Sequence, residues 1–524
     1  MKFRMAAAVM LSAALMVSTA GAAPAYAAGE TVQTEEQGEQ ASGDGQEASD
    51  GQAAPDGQTP PDGQTPPDGQ TPPDGQPPQM PDGQTPPDGQ TPPDGQPPQM
   101  PDGQTPPDGG QGGPGGQGGP GGPGGGEVNQ GTAATELTED AEVSGGTYSS
   151  EGDDENALRI DGASVTLDGI TVDKTGGASS NVESGDFYGM NAGVLATGEA
   201  QVTITGASVH TSAQNGNGVF SYGSGTVVNI SDSEITTEAD NSGGIQTTGG
   251  GTTNAVNLTV QTAGNSSAAI RSDRGGGTVS AEGGSYTSTG YNSPAVYSTA
   301  AISVSDAALT AENSEALVIE GQNSISLTDC EVKGCMSDDK GSSSAINVHN
   351  VMIYQSMSGD AEVGEASFKM EGGSLTSGNG DMFYITNTAC TIDLSGVEIV
   401  NEDSEANLMT VTGNDASHGW GQAGANGAQA AVTCENQELE GDIVVDTIST
   451  LDLTLESSHF TGTVNITDNE AQGEAVADNA VITVGEDSTW TLTGDCTVTS
   501  VDNSGTIEFN GYTITLADGT VLSE

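Results

Sequence analysis

Chemistry in this chain has to be done with few tools. Beyond residue 27 it has three arginines, Arg159, Arg271 and Arg274, and aromatic residues make up only 4% of the sequence. Phe220, Tyr222, Tyr297 and Tyr384 nevertheless recur with Arg159, Gln246, Arg271, Asp273 and His349 at spacings that a repeating fold would gather on one face. Such a set suits a linear glycan: flat rings cover sugar faces, and guanidinium, carboxylate and amide groups hold hydroxyls or carboxylates bidentately. The competing reading is architectural. Exposed strands favour Tyr and Phe for cross-strand packing. Arg271-Ser272-Asp273-Arg274 can close on itself as a surface ion pair worth little, and His349 can be an ordinary surface histidine.

Catalytic constellations are missing as patterns. No Gly-x-Ser-x-Gly elbow, Cys/His arrangement or phosphate loop occurs, and the 79 glycines serve bends, so Gly-rich matches carry no information. Hydrolysis of a glycan needs paired carboxylates, and elimination needs an Arg or Lys base. Gly152-Asp153-Asp154 precedes the first regular unit, Asp338-Asp339 lies in a polar insertion, and with 74 acidic residues adjacent pairs arise by chance. They read as solvated loop acids. No Asp-x-Asp-x-Asp-Gly spacing marks a calcium loop, so calcium would be unspecific, and no cysteine spacing resembles a zinc site. No catalytic residue, metal ligand or cofactor is expected. Cys330 and Cys335 are close enough to pair outside the cell; the alternative for these two and for Cys390, Cys434 and Cys496 is burial as small apolar side chains.

The elements that would position these residues are short. From about Val128 the chain runs in β-branched stretches separated by Gly, Asn, Ser and Asp. Similar segments begin at Asn191, Asn215, Asn241, Asn265, Tyr291 and Ser314, at intervals of 24, 26, 24, 26 and 23 residues. Each reads as three strands, such as Gly193–Thr197, Gln201–Thr205 and Ser208–Thr211. Three strands per unit, with no helical periodicity anywhere, predict an all-β fold: a right-handed parallel β-helix, whose turns stack at about 4.8 Å. Small Val and Ile side chains fill its narrow interior. Asn215, Asn241, Asn265 and Asn292 fit a ladder of left-handed bends. The rival, an array of β-sandwiches, would have longer and less regular strands. A capping turn near 133–150 precedes units opening at Asn156, Ala345 and Met382. The β-helix with insertions is read over 132–442, tighter turns and a cap over 443–524, and Gly511–Leu516 as the closure of the last exposed edge.

Alternation within each first strand points Val194, Val219, Ile245, Ile270, Val296, Leu317, Ile346 and Phe383 inward. The outward column between them is Arg159, Leu195, Phe220, Gln246, Arg271, Tyr297, Val318, Asn347 and Tyr384. A second outward column is Asp161, Thr197, Tyr222, Thr248, Asp273, Thr299, Glu320, His349 and Thr386. The scarce arginines and rings thus converge on one surface.

The N-terminal quarter is of another kind. Lys2 and Arg4, an apolar stretch over 6–17 and the Ala25-Tyr26-Ala27 cleavage site predict a signal peptide over 1–27 and a secreted, extracellular or surface-associated mature chain. No membrane insertion after cleavage is expected. The C-terminal residues show neither a sorting motif nor a hydrophobic tail, so no covalent anchor is expected. Residues 28–131 begin acidic, then repeat TPPDGQTPPDGQPPQMPDGQ at Thr65–Gln84 and Thr85–Gln104, and end in Gly-Gly-Pro/Gln steps. This composition makes a disordered, extended linker. Nine basic against 74 acidic residues leave a net charge of −65. That field repels phosphate backbones and anionic headgroups, which excludes nucleic acid and membrane surfaces as partners. Oligomeric state is not legible.

The repeat texture over about 130–524, including SSHFTGTVN and STWTLTGDCTVTS, resembles the adhesin-like β-helical proteins of bacterial surfaces, within the fold shared by pectate lyases and autotransporter passengers. The resemblance implies a surface protein that binds polysaccharide or a host glycan along one solenoid face. A polysaccharide lyase or hydrolase on the same scaffold is the second reading, and a structural stalk the third. The galacturonase-type patterns N-T-D, G-D-D, G-H-G and R-I-K form no ordered set in this chain.

Overall fold

The computed structural model describes residues 128–337, 347–414 and 420–524. The expected signal peptide over 1–27 and nearly all of the 28–131 linker lie outside these residues, as does Asp338-Asp339. Among the described residues the chain forms 42 strands and one helix, Val182–Tyr188. The strands assemble into three sheets that wind as a parallel β-helix. No helix among the described residues is long and apolar enough to cross a membrane.

Each turn contributes its first strand to a 16-stranded sheet. The inward positions stack in register from Leu158 through Val194, Val219, Ile245, Ile270, Val296 and Leu317. The stack continues through Val351, Phe383, Met409 and Ile443 to Val464. All of these are buried, and each such side chain contributes about 1.5–3 kcal/mol by leaving water. Second and third strands build a 22-stranded sheet. From Glu438–Glu440 onward the third strands split off as a four-stranded sheet with His459–Thr461, Thr489–Thr491 and Thr506–Glu508. Trp490, the largest buried side chain, stacks on Phe460 at 6.0 Å inside this narrower end.

The bends follow backbone chemistry. Asn191, Asn215, Asn241, Ser266 and Asn292 are left-handed, so the expected ladder exists, with Ser266 in the place given to Asn265. A second left-handed column, Gly206, Asp232, Asn257, Gly283, Asp306 and Asp329, divides second from third strands. Asp and Asn are the side-chain-bearing residues that best tolerate this conformation, which accounts for part of the acidic composition. A third ladder is buried: the backbone N–H groups of Gly216, Ser242 and Ser267 donate to the hydroxyls of Ser242, Ser267 and Ser293.

Four expectations change. The capping turn expected near 133–150 is a complete three-stranded turn of the solenoid, Thr132–Leu137, Ala141–Ser144 and Thr147–Ser150, each strand in register with its successor. At the other end Ile514–Leu516 adds to the stack on Cys496–Val498, and its edge is covered in turn by the antiparallel strand Val521–Leu522, so the sheet ends one strand later than expected. Ala345 and Ile346, expected to open a unit, lie outside the described residues. In the described strand His349–Tyr354, Val351, Met352 and Tyr354 pair with Leu317, Val318 and Glu320 and so take the positions assigned to Ile346, Asn347 and His349. An insertion before the strand removed the spacing that had set its register. All five cysteines are unpaired thiols; Cys330 is buried in the core and is not bridged to Cys335. The fourth change is the helix, which carries the site.

Candidate functional site

Helix Val182–Tyr188 is an insertion between two turns. Asn181 caps it by accepting from the N–H of Ser184, and Gly189 ends it at φ 79°. At seven residues it is too short to leave a periodic trace in the sequence. A Cβ on Gly189 would lie 2.7 Å from Leu195 and 3.0 Å from Phe220, so only glycine lets the helix end pack this closely. The helix lies on the first sheet: Gln246 Nε2 donates to Asp186 O at 2.7 Å and Thr248 Oγ1 to Phe187 O at 2.6 Å. Phe220 and Gln246, expected on the open face, are therefore fully buried. Tyr222 is half-buried and meets Tyr188 edge-on at 5.7 Å.

Arg159 is also committed elsewhere. Its Nη2 donates to the carbonyls of Gln130, Gly131 and Thr132 at 2.6, 3.0 and 3.0 Å, and its Nε to Asn156. It fastens the first strand of the solenoid.

The remaining expected residues do meet. Arg271, Tyr297, Val318 and Met352 are register partners on successive turns and form the floor of a cleft of about 390 Å³ that begins where the helix ends. Asp273 and His349 line it too, together with Tyr354 and Trp420, whose rings lie 4.6 Å apart. Trp420 and the loop residue Asp360 were missed by sequence reading, because both belong to insertions with no repeat register.

Two charge centres hold this cleft together. Arg271 sits between Asp186 of the helix, at 3.3 Å, and Asp273, at 2.9 Å, with all three side chains largely buried. Burial pushes the Asp273 carboxyl up to about 7 against the pull of Arg271, with Asp186 and Asp360 adding to the rise. Asp186 is raised for the same reason. Arg274 joins the two insertions: it pairs with Asp360 at 2.6 Å and lies 4.1 Å over the Phe187 ring. The second centre is Glu320, buried, which accepts from Tyr297 at 2.6 Å, Tyr354 at 2.9 Å and Ser356. Burial and Glu320 hold both tyrosines well above the usual phenol range.

Tyr384, the last expected residue, lies at the edge of this cleft. It stacks on His349 at 5.0 Å and 18°. His349 Nδ1 pairs with Asn347 at 3.1 Å. Gly152-Asp153-Asp154 is structural: Asp153 and Asp154 accept from the N–H groups of Ala178 and Ser180. Among the described residues no group of three or more His, Cys, Asp or Glu is placed to hold a metal ion.

These features define a parallel β-helix with a walled cleft on its first sheet. Compared with protein-family models, curated proteins and solved structures, the chain has no match in any of the three.

Proposed function

We propose that this is an exported β-helical surface protein that binds a neutral glycan in the cleft over Arg271, Tyr297, Val318 and Met352. The observation that carries this reading is the pairing of aromatic faces with amide side chains in one cleft. Tyr297, Tyr354 and Trp420 offer ring surface for sugar C–H faces, while Asn292 and Asn313 at the same cleft offer amides for hydroxyls. Export rests on the signal-peptide pattern at 1–27.

Charge selects the class of glycan. The lining carries four acidic side chains, Asp186, Asp273, Glu315 and Asp360, against one basic one, Arg271. Arg274 pairs with Asp360 and burial raises the pKa of Asp273 and Asp186, so the balance stays acidic but by less than the count of acids. A polyuronide or sulfated chain would be repelled at such a surface. The same arrangement argues for binding over elimination, because Arg271 is tied to two carboxylates and has no freedom to act as a base. Hydrolysis is disfavoured as well. Asp273 has the raised carboxyl of a general acid, but its oxygens accept from Arg271 and from the Arg274 N–H.

The test is binding of the full mature chain to immobilised neutral, amino-sugar and uronate oligosaccharides, with Tyr297→Ala and Trp420→Ala as variants. Neutral glycans should be retained and both variants should weaken retention at least tenfold. Equal retention by parent and variants removes the cleft as the site. Release of reducing ends or of unsaturated products would replace binding with catalysis.

A further inference from the structure

A second cleft continues the same face. Its floor follows the column beyond the first: Met352 is in register with Tyr384, Tyr384 with Thr410, and Thr410 with Val444. The space is about 360 Å³ and is lined by Tyr384, Thr410, Thr412, Asp446 and Asn469 among others. The stacked pair His349 and Tyr384 marks the boundary, since His349 lines the first cleft and Tyr384 the second.

Both clefts are built in the same way. In the first, Asp273 lies two residues beyond the floor residue Arg271, and the insertion holding Asp186 closes on it through that arginine. In the second, Asp446 lies two residues beyond the floor residue Val444 and is likewise buried. It accepts from Thr412 at 3.0 Å, from the Gly413 N–H at 2.8 Å and from Asn469 at 2.7 Å. Asn469 belongs to another insertion and is fixed there by Thr447 and Gly473. Asp381, three residues before the floor residue Tyr384, is a further buried acceptor on the same stretch, taking bonds from Asn347, Thr410 and the Asn407 N–H. The result is a rigid set of hydroxyls, amides and shielded acceptors beside one aromatic ring, which is the chemistry of a sugar subsite and not of an apolar ligand.

We infer that this second cleft is a further glycan subsite, in tandem with the first, and that one linear neutral chain occupies both. The inference rests on the reading of the first cleft as a glycan site. From Arg271 to Val444 the column climbs six turns, about 29 Å at about 4.8 Å per turn. One turn matches roughly one sugar unit, so a chain of three units fills one cleft and a chain of eight reaches across both. Linking the two contacts in one ligand strengthens binding by about a hundredfold through effective concentration.

The experiment is titration calorimetry of the mature chain with neutral β-1,4-linked gluco-, manno- and xylo-oligosaccharides of three and eight units. The bound series should show two trisaccharides per protein but one octasaccharide, with the octasaccharide about a hundredfold tighter. Thr467→Trp plugs the second cleft from an exposed position, and Thr410→Val removes one hydroxyl. Thr467→Trp should reduce trisaccharide stoichiometry to one and octasaccharide affinity to that of the trisaccharide, with Thr410→Val weakening the octasaccharide in the same direction. One trisaccharide per parent chain, with octasaccharide affinity untouched by either variant, overturns the second subsite and leaves the first standing. A parent stoichiometry of one, with all binding lost in Trp420→Ala, likewise overturns the second subsite alone. No binding of any series by the parent removes both readings.

Discussion

The hydroxyl of Tyr297 donates to Glu320, one turn further along the solenoid, at 2.6 Å. A ring proposed to touch ligand is thereby locked by a buried carboxylate behind it, which limits the rotamer freedom lost on binding. Tyr297→Phe separates the two roles. It keeps the ring and removes a hydrogen bond to a carboxylate, costing about 1.5–3 kcal/mol in urea unfolding, while glycan affinity should change less than threefold. Tyr297→Ala should lose both stability and affinity. Equal affinity loss in the two variants would assign recognition to the hydroxyl instead.

Asp273 makes stability depend on pH in a predictable sense. Its carboxyl is raised to about 7 in the folded chain by burial from about 3.9 in an unfolded one. A folded value above the unfolded one means that its contribution is complete below about pH 4 and is lost as pH rises through about 7. The facing groups are Arg271, Asp186 and Asp360. Asp273→Asn should therefore gain melting temperature relative to the parent as pH is raised from 4 to 8. A parent–variant difference that stays flat across this range would mean that Asp273 is ionised throughout by Arg271.

Phe220 should behave as a core residue despite its outward position. It lies under the helix against Leu195 and Gly189, so Phe220→Ala should cost about 3–5 kcal/mol. Amide exchange should accelerate in Val182–Tyr188, which loses its bed, before it does in the strands two turns away. Unchanged exchange in the helix would show that Asp186, Gln246 and Thr248 hold it alone.

Phe220 also shows where sequence reading stopped. The period fixed the inward column correctly from Val194 to Leu317, because a one-residue slip would have turned Val and Ile to solvent. It also brought Arg271, Asp273 and Tyr297 to one surface. What it could not see were the insertions. A seven-residue helix has too few turns to show a pattern, and Asp360 and Trp420 sit outside any repeat. Strand alternation alone therefore labelled Phe220 and Gln246 as exposed when an inserted element covers them. The register error at Asn347 and His349 has the same origin.

Lys174 gives the sharpest stability test at the other end of the stack. Its side chain is fully buried, and Nζ donates to Gly152 O and Gly176 O, both at 2.6 Å, and to Ser150 Oγ at 3.4 Å. Burial lowers its pKa, opposed by Glu155, Asp153 and Asp154. The amine thus ties the first turn to the loop after Thr171–Lys174, and no other basic residue between Arg159 and Arg271 can replace it. Lys174→Met fills the same space but leaves two carbonyls without a donor, which costs about 2–4 kcal/mol. In a solenoid each turn contacts mainly its neighbours, so the loss should appear as local opening of residues 132–180. Limited proteolysis should cut there first while the cleft around Tyr297 stays protected. Uniform loss of protection along the whole stack would show instead that the solenoid unfolds as one unit.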